Sequence, residues 1–142
     1  MFRRSGLLKA RDCVPELRQP FERRLLDEVI EVLQTLSGSQ GEQVLLHQDL
    51  HGDNVLAAER LPWLAIDPKP FVGDRAYDAT QHLFNGLPRL TLGLIRSFAH
   101  RLDVDAERVR LWMFARLVAE PRDDWRDTRY DLARSLAPSL AR

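Results

Sequence analysis

The property that most constrains this chain is a double change in the spacing of its apolar residues. Phe21, Leu25, Val29 and Leu33 recur every four positions, and Leu26, Ile30 and Leu36 widen the stripe. That spacing predicts an amphipathic helix of about four turns. Pro20 fits its first turn, where a missing N–H does no harm, and Ser37-Gly38 with Gly41 ends it. The period then breaks into short apolar runs, QVLLH at 43–47, NVLAA at 54–58 and WLAID at 63–67. With ERLP at 59–62 as a turn, these predict one short strand, a polar loop and a β-hairpin. Two polar segments, 47–54 and 67–78, begin where a strand stops, a position that holds reactive groups still.

Helical spacing returns from residue 76. AYDATQHLFNGL, LTLGLIRSFAHRL and DAERVRLWMFARLVAE predict three helices, and YDLARSLAPSLAR a weaker fourth. In the third, Val109, Trp112, Met113, Arg116 and Leu117 share a face; Trp112, Met113 and Leu117 read as core. Asp103 or Asp105 can cap its start and Pro121 stops it. The class is α+β, mainly helical, with the hairpin carrying a reactive loop.

Composition narrows the function classes. At 142 residues the prior is one domain with a sizeable core. Acidic and basic residues balance at 21 each, so no net field draws the chain to nucleic acid or to an anionic membrane. A single cysteine, Cys13, excludes an internal disulfide framework. No apolar run approaches bilayer length, and SGLLKARDC is too polar and short for a signal-peptide core. A cytoplasmic location is the default reading.

Reactive side chains concentrate in His47-Gln48-Asp49-Leu50-His51-Gly52-Asp53-Asn54. As a strand, this segment would project His47, Asp49, His51 and Asp53 from one face, a donor set for zinc and metal-dependent hydrolysis. Gly52 and the run of polar residues favour a loop instead, and a loop loses the shared face. Phosphoryl transfer uses an Asp to orient or deprotonate the acceptor hydroxyl, an Asn five residues later on magnesium, and a further Asp at a following strand end. Asp49, Asn54 and Asp67 stand in that order, with a hairpin to return the chain. Oxygen donors suit Mg²⁺, which keeps water and phosphate in its other positions.

VLLHQDLHGDNVL followed by WLAIDPKPFVGDRAYDAT resembles the aminoglycoside phosphotransferase superfamily, most closely its streptomycin 6-kinase and hydroxyurea phosphotransferase branch of antibiotic-resistance kinases. The resemblance implies a protein-kinase-like C-terminal lobe, ATP as donor, Mg²⁺, and an aminoglycoside-like small-molecule acceptor. It implies Asp49 as the catalytic residue, Asn54 and Asp67 as metal ligands, His47 as a brace of the loop, and Asp74 as a hydrogen-bonding support beneath it. Gln48 stands where the branch has Gly, Pro70 replaces a Gly and Arg75 a Pro. The match is tightest over residues 43–80.

No Gly-x-Gly-x-x-Gly occurs, Lys9 lies in no strand-like context, and Lys69 follows Asp67. The expectation is therefore a connecting segment at 1–19, a catalytic lobe at 20–142, and no nucleotide-binding lobe. That arrangement would leave an apolar face bare for association. A non-catalytic remnant is the alternative of a different class. His51 and Asp53 are divided between loop structure and substrate contact. In EPRDDWRD at 120–127, Glu120, Asp123, Asp124 and Asp127 can face a cationic acceptor or simply form a solvated turn. Lys69 can touch a phosphate, although a solvated surface Lys is the plainer reading.

Overall fold

The computed structural model describes residues 22–39, 43–86, 89–120 and 127–138. The expected connecting segment, Pro20, Phe21, Gly41, Pro121, Asp123 and Asp124 lie outside the described residues. The described elements run α1 (Arg23–Gly38), β1 (Gln43–Leu46), a 3-10 turn (Gly52–Asn54), β2 (Val55–Ala57), β3 (Trp63–Ala65), β4 (Phe71–Asp74), α2 (Arg75–Asn85), α3 (Leu92–Leu102), α4 (Ala106–Ala119) and α5 (Asp127–Leu136). The α+β class is as the apolar spacing predicts.

The chain divides into two compact units, one of Met1–Ser39 with Phe114–Arg142 and the other of Gln40–Met113. The division falls within α4. In the first unit, α1 buries Leu25, Val29, Val32 and Leu36. Val32 takes the place expected for Leu33. A strict spacing of four drifts about 40° per step on an α-helix, so the buried stripe must alternate threes and fours. Glu22 ties the start of α1 to α5 by accepting from Tyr130 Oη at 2.7 Å and Arg134 Nη1 at 2.8 Å. Arg129, buried on α5, donates to the carbonyls of Arg116, Leu117 and Glu120 at 3.2–3.3 Å. Arg116 and Leu117 stand in the last turn of α4 and Glu120 follows it, where helical N–H donors run out, although Arg116 O also accepts from Glu120 N at 3.1 Å.

The second unit carries the strands as two separate antiparallel pairs, β1 with β4 and β2 with β3. The apolar spacing offers β1 no partner and makes 67–78 one polar segment. Strand β4 corrects this, pairing Val44 with Gly73 and Leu46 with Phe71. A lone strand would leave its backbone N–H and C=O groups unpaired, so a second segment must supply the ladder. Gly73 suits this pairing because a Cβ there would stand 3.0 Å from Leu46 Cδ1. The neighbouring pair Leu45 and Val72 turns outward, 73% and 54% exposed, and Trp63 on the hairpin is 67% exposed.

Helix α2 follows β4 without a loop because Asp74 caps it, accepting from Ala76 N at 3.0 Å. The other Asp74 oxygen accepts from Arg108 Nε at 2.5 Å and Trp112 Nε1 at 2.8 Å, anchoring α4 to the strand end. Tyr77 meets the Trp112 ring edge-on at 5.1 Å. Asp105 is the N-terminal cap of α4, accepting from Arg108 N. Asp103, the other candidate, instead ends α3 in the left-handed conformation at φ 53°. Among the described residues, no helix is long and apolar enough to cross a membrane.

Candidate active site

The loop after β1 is fixed by its backbone. The amides of His47 and Gln48 both donate to the Asp78 carboxylate, at 2.7 and 2.9 Å. Gln48 adopts φ 61°, in the left-handed region. Glycine enters that region without a Cβ penalty, which accounts for the Gly that the branch resemblance places there. The imidazole of His47 spans the site. Its Nε2 donates to Ile66 O at 3.0 Å, which leaves Nδ1 as the acceptor for Asp49 N at 3.4 Å. His47 thus joins the loop to the end of the hairpin.

Three hydrogen bonds to main-chain carbonyls connect the segments that carry Asp49, Asn54 and Asp67. Asn54, buried in the 3-10 turn, donates its side-chain amide to Asp49 O at 2.9 Å. The β2–β3 ladder pairs Val55 with Ala65 and continues one step outward, where Ile66 N donates to Asn54 O at 3.0 Å. Asp67 therefore follows immediately on the partner of Asn54, at the mouth of the hairpin. Its φ of 53° turns the chain out of the strand direction at that point. Lys69 N then donates to His47 O at 2.9 Å, returning the segment to the loop.

Electrostatics centre on Asp49, whose Oδ2 lies 2.5 Å from Lys69 Nζ. The hydrogen bond from Lys69 holds the Asp49 carboxyl below its ordinary value, and the same bond raises the Lys69 ammonium. The Asp49 side chain is 22% exposed and that of Lys69 67%. His51 lies between two carboxylates, Nε2 3.9 Å from Asp49 Oδ1 and Nδ1 3.7 Å from Asp53 Oδ2. Asp53 is almost fully solvated.

Asp74 sits elsewhere than the resemblance implies. It is spent on Ala76, Arg108 and Trp112, and Asp78, one helical turn further on, takes the loop amides. The signal for Asp78 is present in AYDAT: a helical side chain points back toward its own N-terminus, here toward the end of β1. Lys69 was legible only as a phosphate contact or a surface residue, because nothing in IDPK announces a partner twenty positions earlier. Glu120 pairs with Arg116 at 2.6 Å.

The donor chemistry suits magnesium better than zinc. Both ring nitrogens of His47 are engaged within the protein, and no group of three His, Cys, Asp or Glu is placed to hold a metal among the described residues. An amide oxygen on Asn54 and a carboxylate on Asp67 are hard donors, and Mg²⁺ accepts few protein ligands when phosphates supply others.

The chain belongs to the aminoglycoside/hydroxyurea antibiotic resistance kinase family, whose model matches residues 9–122. Among its relatives are a hydroxyurea phosphotransferase of Kitasatospora aureofaciens, 42% identical over 80% of this chain and 34% of the relative, and a streptomycin 6-kinase of Streptomyces griseus, 40% identical over 75% and 37%. A streptomycin 6-kinase of Streptomyces glaucescens is 36% identical over the same shares. The chain thus spans about a third of the length of these curated relatives. No solved structure matches it.

Proposed function

We propose that this chain is the catalytic part of an ATP-dependent phosphotransferase with a protein-kinase-like C-terminal lobe, acting on a hydroxyl of an aminoglycoside-like small molecule. The observation that supports this reading is the course Asp49–Asn54–Ile66, in which the Asn54 amide donates to the main-chain carbonyl of Asp49 and Ile66 N to that of Asn54, so that Asp67 follows one residue on. Asp49 orients the acceptor hydroxyl and takes its proton as the hydroxyl oxygen bonds to the γ-phosphorus of ATP. The bond from that phosphorus to the β-bridging oxygen breaks, and its electron pair leaves on ADP. Asn54 and Asp67 would hold Mg²⁺, which neutralises charge on the phosphates when bound. His47 and Asp78 keep the loop in one conformation, so little reorganisation accompanies the transfer.

The exposed Leu45, Val72 and Trp63 fit a surface covered by a further lobe, which the relatives' greater length allows. The test is a chimaera in which this chain replaces the matching third of the S. griseus streptomycin 6-kinase. Radiolabel should pass from γ-labelled ATP to streptomycin, and Asp49→Ala should abolish it. An undiminished rate in Asp49→Ala overturns the assignment.

A further inference from the structure

Lys69 is one of only two lysines in the chain, against nineteen arginines. It is held to the site twice by independent atoms. Its backbone N–H donates to His47 O at 2.9 Å, and its ammonium reaches Asp49 Oδ2 at 2.5 Å, twenty residues back. The backbone bond fixes where the side chain starts, so the ion pair is not a chance meeting of two long side chains on a surface. Proline on either side, Pro68 and Pro70, restricts the backbone further.

The two oxygens of Asp49 are therefore inequivalent. Oδ2 carries the ammonium, whereas among the described residues Oδ1 has only the His51 ring at 3.9 Å, beyond hydrogen-bond distance. Resting on the phosphotransferase reading, we propose that Lys69 is the positioning residue for Asp49. It occupies Oδ2, sets the plane of the carboxylate, and leaves Oδ1 as the oxygen that receives the acceptor hydroxyl. A point charge on a flexible four-carbon stem suits this task. The planar arginine fork would favour both oxygens at once and compete with the acceptor. That difference gives a chemical reason for a lysine here in a chain that otherwise uses arginine.

Two measurements test this. The first uses the chain itself with ¹³C-labelled lysine, which yields just two side-chain Cε signals; Lys69→Arg identifies the one from Lys69. Asp49→Asn should shift that signal and leave the Lys9 signal in place. A Lys69 signal that ignores Asp49→Asn overturns the pairing, whatever the chain's activity. The second uses the streptomycin kinase chimaera. Lys69→Met should lower kcat by roughly 10- to 100-fold, as expected for a lost positioning contact, with KM for ATP changed by less than about threefold. Lys69→Arg should recover the fold but not the rate, because its fork engages Oδ1. Equal kcat in wild type and Lys69→Met overturns the proposal while sparing the phosphotransferase reading. A chimaera that is inactive with Lys69 intact counts against that reading instead, and the lysine signal then decides the pairing by itself.

Discussion

The carboxylate of Asp78 on α2 binds the backbone amide of His47, thirty-one positions earlier, at 2.7 Å. With its second oxygen on Gln48 N, it converts the end of β1 into a fixed platform for the reactive loop. Asp78→Ala would leave two partly buried amides without an acceptor. Hydrogen bonds to charged groups contribute about 1.5–3 kcal/mol, and stability should fall by about 2–3 kcal/mol. Asp78→Asn, which keeps one acceptor oxygen, should cost less. Urea unfolding monitored by tryptophan fluorescence distinguishes them, and equal midpoints for Asp78→Ala and wild type would remove the platform from the account.

Gln48 holds φ 61° with a side chain that disfavours that region. Glycine adopts it without the Cβ penalty of about 1–2 kcal/mol, partly offset by its greater freedom when unfolded. Gln48→Gly should therefore stabilise the chain by up to about 1 kcal/mol, read as a higher urea midpoint at unchanged slope. Gln48→Val, β-branched, should destabilise it.

Burial pushes the His82 imidazole below its ordinary value of 6.5, with Asp78 opposing and His51 adding to the shift. The ring packs on Phe98 at 5.8 Å. The unfolded chain therefore takes up a proton at higher pH than the native state does. Stability from this group is complete above about 6.5 and declines as pH falls below it toward the lower native value. Chemical denaturation at pH 7.5 and 5.5 should show a drop in wild type that is smaller in His82→Phe. Glu107 and Asp49, both lowered by their cationic partners Arg110 and Lys69, act only at more acidic pH.

Asn54 holds Asp49 O through its amide nitrogen, and in the proposed mechanism it would also present its oxygen to magnesium. Asn54→Ala in the kinase chimaera should raise the magnesium concentration for half-maximal activity roughly 10- to 100-fold. Asn54→Asp restores an oxygen donor but loses the N–H, so it should recover metal affinity more than rate. A magnesium titration of the two variants separates the roles, and coincident curves for Asn54→Ala and wild type would take Asn54 out of the metal site.

Local pattern alone determined much of this protein. The switch from a period near four to short apolar runs and back located every described helix, the β2–β3 hairpin and β1. The order Asp49, Asn54, Asp67 marked the loop. These signals are legible because helix and strand periodicities, and the side chains phosphoryl transfer needs, are properties of neighbouring residues. Tertiary structure decided what depends on distant partners. Strand β4 was hidden in a polar segment because its hydrogen bonds belong to β1. Asp78 took the bracing role expected for Asp74 because the start of α2 aims its carboxylate at the 47–48 amides, while Asp74 is engaged by Arg108 and Trp112. Lys69 became a partner of Asp49 because a backbone bond to His47 brings the two segments together. Each of these outcomes is a choice among donors and acceptors that lie far apart in the chain, and only folding brings them within a few ångströms.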